Sequence, residues 1–328
     1  METRRLGRSG VKISPLVLGT LNFGSATGRR EAYRMVDAAL EAGVNLIDCA
    51  DVYAGGESEG ILGAALARDG KRDQVLVTSK VGLPAGPDPN ERGNSRYHII
   101  RSCEQSLKRL QTDRIDIYFL HRTDFSVPQE ESLAALDLLM RQGKILYAAC
   151  STHPPWRTVE ALMLAERHGY PKFVCEQAPY NLLDRRAENE IVPMCRAFDL
   201  GLLCWSPLAQ GQLAGRYNEA GRFPAGSRAA MKAVYGERVT TEGIRAAREA
   251  AEHFAGRGFS PAQLAVAWLL SQPGVTGVLL GPRTPDQLSE LLGAAEVSLS
   301  AEDLEFCDRL VPPGRFVSDH FNTSGWMK

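Results

Sequence analysis

Ile115-Asp116-Ile117-Tyr118-Phe119-Leu120 is a near-continuous apolar run, and it is followed at once by His121. A strand with one wet face alternates polar and apolar residues. A strand buried on both faces does not, and such strands belong to parallel sheets covered by helices. Working outward, the same kind of run recurs at residues 16–19, 44–47, 75–78, 146–150, 173–175, 202–204 and 275–280.

All but the last run is separated from the next by a helical pattern. Residues 31–42 put Met35, Val36, Ala39 and Leu40 on one face and stop at Gly43. Residues 97–110, 133–142 and 159–168 behave alike, the last two stopping at Gly143 and Gly169. Ser260-Pro261-x-Gln263 and Thr284-Pro285-x-Gln287 each read as an N-cap, a first-turn proline and a capping-box glutamine, and Ser300 caps a last helix. Eight β–α alternations predict an α/β fold, a closed (β/α)8 TIM barrel spanning residues 1–328 as one domain. A doubly wound open sheet is the rival, but no G-x-G-x-x-G turn follows any strand. Residues 4–14, centred on Gly7-Arg8-Ser9-Gly10, read as a β-hairpin plugging the barrel's bottom. Residues 213–241 are polar and weakly periodic, and read as a long strand-end excursion.

Composition narrows the function classes. The 328 residues are 44% hydrophobic and 23% charged, with net charge -1, so no concentrated basic face points to nucleic acid or an acidic membrane. No apolar run reaches the ~18 residues of a membrane span. Arg4-Arg5 lacks the apolar stretch of a twin-arginine signal. The seven cysteines are scattered without a C-x-x-C, which fits reduced thiols in a cytoplasm and disfavours a thiolate zinc site.

The strand exits are polar: Asp48, Lys80, His121, Ser151, Gln177 and Trp205-Ser206. Each has a plain reading alone, as helix cap, solvated lysine or core histidine. Together they sit where barrel active sites form. A carboxylate fixes an ammonium, and the ammonium lowers the pKa of a nearby phenol. Tyr53, five residues past Asp48, can return over the same pocket, and His121 can orient a substrate oxygen.

The chain resembles the aldo-keto reductases over nearly its full length. The matching pieces are Leu18-Gly19-Thr20-Leu21-Asn22-Phe23-Gly24, Asp48-Cys49-Ala50-Asp51-Val52-Tyr53 with Glu57-Ser58-Glu59, Thr78-Ser79-Lys80, Phe119-Leu120-His121, Gln177-Ala178-Pro179-Tyr180-Asn181-Leu182-Leu183, and Trp205-Ser206-Pro207-Leu208-Ala209-Gln210-Gly211. The tryptophan followed by Ser-Pro-Leu resembles the branch of aflatoxin-aldehyde reductases and potassium-channel β subunits. The resemblance implies a tetrad of Asp48, Tyr53, Lys80 and His121, with Tyr53 as general acid and base in reversible NADP(H)-dependent carbonyl reduction. Cofactor contacts implied on the same ground are Gly19, Thr20, Leu21, Asp48, Ser151, Thr152, Gln177, Trp205, Ser206, Leu208, Gln210, Gly211, Gly281, Arg283 and Gln287. Arg283, just before a helix N-terminus, suits the adenosine 2′-phosphate and favours NADP(H) over NAD(H).

Three departures stand out. Thr152 replaces the usual asparagine, Ala149 the usual glycine and Leu291 a usual asparagine, so weaker cofactor binding is expected. Asn22, Tyr53 and His121 are expected at the substrate, with Leu21, Trp156, Trp205 and the 316–328 segment, which holds His320, Phe321 and Trp326, as further liners. Packing against the barrel side is the competing reading of that segment. The expected partner is a small carbonyl or alcohol (aldehyde, keto-sugar or ring ketone), with a homo-oligomer left open. A cofactor-sensing module like the channel β subunits is the alternative, disfavoured by a chain that begins almost at the hairpin. A metal-dependent hydrolase is disfavoured by Lys80 lying between Asp48 and His121, so no metal is expected.

Overall fold

The structure is a computed structural model, and it describes residues 1–321. Its strands are β1 (Arg4–Arg5), β2 (Lys12–Ile13), β3 (Leu16–Gly19), β4 (Leu46–Asp48), β5 (Leu76–Val81), β6 (Ile115–Leu120), β7 (Ile145–Ser151), β8 (Cys175–Pro179), β9 (Gly201–Trp205) and β10 (Val275–Leu280). The strands β3 to β10 form a closed barrel in chain order, every pair parallel, with β10 returning to β3. The (β/α)8 architecture expected from the alternation is therefore the one present.

The quoted run shows how the barrel is packed. In β6, Ile117 and Phe119 point into the barrel with Leu6, Ile13, Val17, Leu46, Ala149, Val174, Cys175, Leu203 and Leu279. Tyr118 and Leu120 point outward, into the layer shared with the helices, and Ile115 at the start of the strand packs with the same cluster. Both faces are buried, which is why no alternation shows in the sequence. The one charge, Asp116, faces outward into an ion pair with Arg72 at 2.8 Å and accepts from the Val77 amide at 2.7 Å.

The outer ring includes α1 (Arg29–Glu41), α2 (Glu57–Leu66), α3 (Arg96–Leu110), α4 (Gln129–Arg141), α5 (Pro155–His168) and α6 (Ile191–Ala197). After β9 come two short helices, α7 (Arg228–Met231) and α8 (Ala233–Gly236), inside the expected excursion. They are followed by α9 (Thr241–His253), α10 (Pro261–Ser271), α11 (Pro285–Leu292) and α12 (Ala301–Leu310). Ser260 and Gln263 complete a capping box on α10, and Ser300 caps α12. At α11 the expectation is corrected. Thr284 does cap, accepting from Gln287 N, but the Gln287 side chain reaches the Arg283 amide at 2.9 Å instead of closing the box.

The hairpin β1–β2 closes the barrel floor. Leu6 and Ile13 insert among the inward residues, and the chain turns so tightly that a Cβ on Gly7, at φ +51°, would lie 2.2 Å from the Val174 carbonyl oxygen. Only glycine fits there. Among the described residues, no helix is long and apolar enough to cross a membrane.

Candidate active site

The strands run further than their apolar stretches. Asp48, Lys80, Ser151, Gln177 and Trp205 are strand residues, not the loop residues beyond them. The barrel can carry these polar groups because they satisfy one another. Register alone brings them level, with Gly19 beside Asp48, Lys80 beside Phe119, and Ser151 beside Gln177.

At the centre is a dry ion pair. Lys80 Nζ lies 2.6 Å from Asp48 Oδ2, and both side chains are essentially inaccessible to solvent. Lys80 also donates to the Cys49 carbonyl at 2.7 Å and to Tyr53 Oη at 3.2 Å, so its three N–H bonds all have acceptors. Asp48 Oδ1 accepts from Thr78 Oγ1 and Gln177 Nε2, each at 2.8 Å. Burial alone would push the ammonium toward its neutral form. The Asp48 charge and Tyr53 override burial and hold its pKa above the ordinary value.

Tyr53 stands on the turn after β4, held over Lys80, whose Nζ is 4.9 Å from the ring centre. Its pKa differs from the sequence-based expectation of a lowered phenol. Burial raises it, the Lys80 charge lowers it, and the balance is upward. The phenol is therefore protonated at neutral pH. His121 faces the Tyr53 ring edge-on at 6.1 Å between centroids. Burial, then the charges of Lys80 and Arg122, push the imidazole well below its usual range, so it is neutral. Its Nδ1 is buried and has no partner among the described residues.

Beside this cluster, Ser151 and Thr152 leave β7. Ser151 Oγ donates to the Gln177 carbonyl at 3.0 Å, and Trp205 Nε1 donates to Thr152 Oγ1 at 3.3 Å. Arg122 donates to the His121 carbonyl at 2.7 Å and to Thr152 Oγ1 at 3.0 Å. Ala54, Thr152, Ser206, Ala209 and Gln210 all hold positive φ, between 47° and 63°. Non-glycine residues adopt this region at a cost, and such residues concentrate at functional loops.

The β3 and β10 exits are fastened together. Asn22 Nδ2 donates to the carbonyls of Gly281 (3.1 Å) and Pro282 (3.0 Å), and Thr27 Oγ1 to that of Arg283 (2.8 Å). The Asn22 amide is thus engaged with the loop that carries Arg283. Thr20 is tied to the Asp48 carbonyl through its amide (2.9 Å) and hydroxyl (3.0 Å), and Leu21 is exposed beside it. Around the β9 exit, Gln210 Nε2 donates to Ser206 Oγ at 3.3 Å and the Gln210 carbonyl accepts from Tyr217 Oη at 2.8 Å; Leu208 is half-buried and Gly211 buried.

The sequence reading missed two arginines here. Arg283 donates to the Gly226 carbonyl in the excursion and lies within the field of Arg228 and Arg216, which adds to burial in lowering its pKa. Among the described residues none of the three forms an ion pair. Arg283, just before the N-terminus of α11, and the nearby charges of Arg228 and Arg216 gather positive charge at this exit. Their signal lay in the Arg216, Ser227-Arg228 and Arg283 spacing across a segment with no readable periodicity.

Part of the C-terminal segment packs over the same end. Val317 N bonds to the Leu183 carbonyl at 2.9 Å, and the amides of His320 and Phe321 bond to Asp184 Oδ2 at 2.7 and 3.0 Å. His320 is buried and Phe316 exposed, while residues 322–328, Trp326 among them, lie outside the described part. Trp156 is exposed on the outer rim, 6.1 Å from the Phe125 ring.

Three metal-capable side chains, Cys150, His153 and Glu176, lie together behind the mouth. The thiol donates directly to Glu176 at 2.8 Å. Burial pushes the Glu176 carboxyl up to about 8 and the thiol well above its usual value, so both hold their protons at neutral pH.

A mouth of this kind on a closed parallel barrel defines a barrel protein with a buried cluster of titratable groups at the C-terminal ends of its strands. The comparison with known proteins gives the family. The model of the aldo/keto reductase family matches residues 15–312, and the chain belongs to that family. It is 38% identical over 325 residues, 96% of this chain and 97% of the relative, to the uncharacterized oxidoreductase YrpG of Bacillus subtilis (strain 168). It is 36% and 34% identical, each over 303 residues, to probable voltage-gated potassium channel β subunits of Oryza sativa subsp. japonica and Arabidopsis thaliana. In each of these two cases the match covers 90% of this chain and 92% of the relative. The family and the Bacillus subtilis relative place the chain among oxidoreductases.

Proposed function

We propose that the protein is an NADP(H)-dependent reductase that reversibly converts an aldehyde, ketone or keto-sugar to an alcohol, with Tyr53 as general acid. The observation that carries this reading is Lys80 Nζ bridging Asp48 at 2.6 Å and Tyr53 at 3.2 Å in a dry site. The dinucleotide, when bound, supplies the hydride. The residues present fit it: the positive charge of Arg216, Arg228 and Arg283 suits its phosphates, Ser151 and Gln177 its carboxamide, and Trp205 its ring.

The chain's own groups do the proton work. The Tyr53 hydroxyl, protonated at neutral pH, donates to the substrate oxygen. The Lys80 ammonium stabilises the phenolate left behind, and Asp48 keeps that ammonium charged and aimed. Neutral His121 donates a hydrogen bond that orients the oxygen. Burial excludes water that would screen these charges. In the oxidative direction the phenolate accepts the proton back. The continuous core supports one domain over the chain, and seven buried free cysteines support a reducing, cytoplasmic setting.

The test is to incubate the protein with NADPH and a panel of aldehydes, keto-sugars and cyclic ketones while following nicotinamide absorbance. Carbonyl-dependent loss of absorbance is expected. A panel-wide absence of turnover, with NADPH demonstrably bound, contradicts the reading.

A further inference from the structure

Cys150 of β7 and Glu176 of β8 are paired in register, one rung before Ser151 and Gln177. Gln177 turns to the mouth, where it holds Asp48. Cys150 turns the other way: it packs in the outer layer and lies 3.8 Å from Thr158 Oγ1 on α5. Its thiol donates to Glu176 Oε2 at 2.8 Å, and Glu176 Oε1 accepts from the His153 amide at 3.2 Å. A ring nitrogen of His153 completes the group. The sulfur, the carboxyl oxygen and that nitrogen all lie within 4.8 Å of one another, and all three side chains are buried. Among the described residues no other trio of this kind gathers.

An outer barrel layer of leucine and alanine does not need three such polar groups, and burying them costs free energy. Together they are the donor set of a thiophilic divalent cation. Cation binding would release one proton from the thiol and one from the carboxyl to solvent. The thiolate and carboxylate then cancel the charge of the ion, so the dry layer gains no net charge. The Arg122 charge, in whose field Glu176 lies, weakens such a site without abolishing it, because the bound ion is already neutralised. Bonds of about 2.3 Å to sulfur and about 2.0 Å to oxygen, at a tetrahedral angle, set those atoms about 3.5 Å apart. The thiol and carboxyl therefore open by less than about 1 Å and the imidazole closes by roughly as much, within reach of side-chain rotation.

His153 also lines a small cavity with Asn94, Thr123, Asp124 and Phe173. Asn94 Oδ1 and Thr123 Oγ1 are buried with no partner among the described residues. This polar recess gives an ion a route to the imidazole. A search for C-x-x-C spacing does not reveal the group, because the thiol and carboxyl come from neighbouring strands, 26 residues apart.

We propose that Cys150, His153 and Glu176 form a binding site for a thiophilic divalent cation of the zinc class, behind the mouth and separate from the carbonyl chemistry there. Three protein ligands leave a fourth position for water.

The test uses the full-length protein, stripped of metal with a chelator, kept reduced with a phosphine, and titrated with Co2+ and then Zn2+. One cobalt per chain is expected, with a thiolate-to-cobalt charge-transfer band that Zn2+ removes. All seven cysteines are buried, so a surface thiol does not supply that band. Cys150→Ala should abolish it. Glu176→Gln keeps the shape and neutrality of the protonated carboxyl, so it should fold like the parent while Zn2+ binding by calorimetry weakens at least about tenfold. Excess Zn2+ should raise the Tm of the parent and not that of Glu176→Gln. No charge-transfer band at a large molar excess of cobalt overturns the proposal. So does a band that survives Cys150→Ala, or a Zn2+ affinity and Tm rise unchanged in Glu176→Gln, either of which would assign the ion to other residues.

Discussion

The two ends of the barrel are built from the same strands and by opposite rules. At the floor, the hairpin residues Leu6 and Ile13 complete an apolar plug, and the tight turn is made by Gly7, a residue free to adopt its φ. At the mouth, a lysine and an aspartate are as deeply buried as any leucine, and Ala54, Thr152, Ser206, Ala209 and Gln210 hold conformations that glycine or asparagine would adopt more easily. The floor departs from local preference at single polar residues such as Asp199, whereas the mouth gathers five non-glycine residues at positive φ around a buried ion pair. Violations held in place by surrounding structure are the signature of a site shaped for something other than stability.

That contrast can be broken at both ends. The largest effect is expected from Lys80→Met, which leaves Asp48 buried with an uncompensated charge and should cost about 3–5 kcal/mol in chemical denaturation. Adding Asp48→Asn should recover a substantial part, and full additivity of the two losses would argue against the ion pair as the organising contact. Next is Gly7→Val at the floor, where a clash with backbone and a strained φ should cost about 2–4 kcal/mol. Turnover per folded molecule should be unchanged, and a selective loss of turnover would mean the ends are not separable. Smallest is Thr152→Asn, which should stabilise by about 1 kcal/mol because asparagine tolerates left-handed backbone better than a β-branched residue. The added amide should also tighten NADPH binding in a fluorescence titration; a weakened Kd would show that Thr152 is not a handicap to the cofactor.

How much was legible in the sequence follows the same division. Strands such as Ile115–Leu120 announce themselves because burial on both faces leaves an unbroken apolar run. Strand ends do not. Periodicity stops at Ile47, Thr78 and Cys175, whereas β4, β5 and β8 continue through Asp48, Lys80 and Gln177, because partners distant in sequence satisfy those polar groups. That Asp48, Tyr53, Lys80 and His121 would gather at one rim was legible from their exits and from the family resemblance. The sign of the Tyr53 shift was not, since it depends on how completely the phenol is buried. Arg228 and Arg238 lay in a segment without pattern, where only the fold shows that Asn22 and Gln212 hold it over the mouth.

The central claim is that one hydroxyl moves the proton while the rest of the cluster serves it. Tyr53→Phe removes that oxygen and little else. Measured with NADPH and the best aldehyde of the panel, the variant should lose about 10²–10⁴-fold in kcat while its NADPH dissociation constant stays close to that of the parent. A variant that keeps its turnover would show that the proton comes from elsewhere and that the phenol above Lys80 is a bystander.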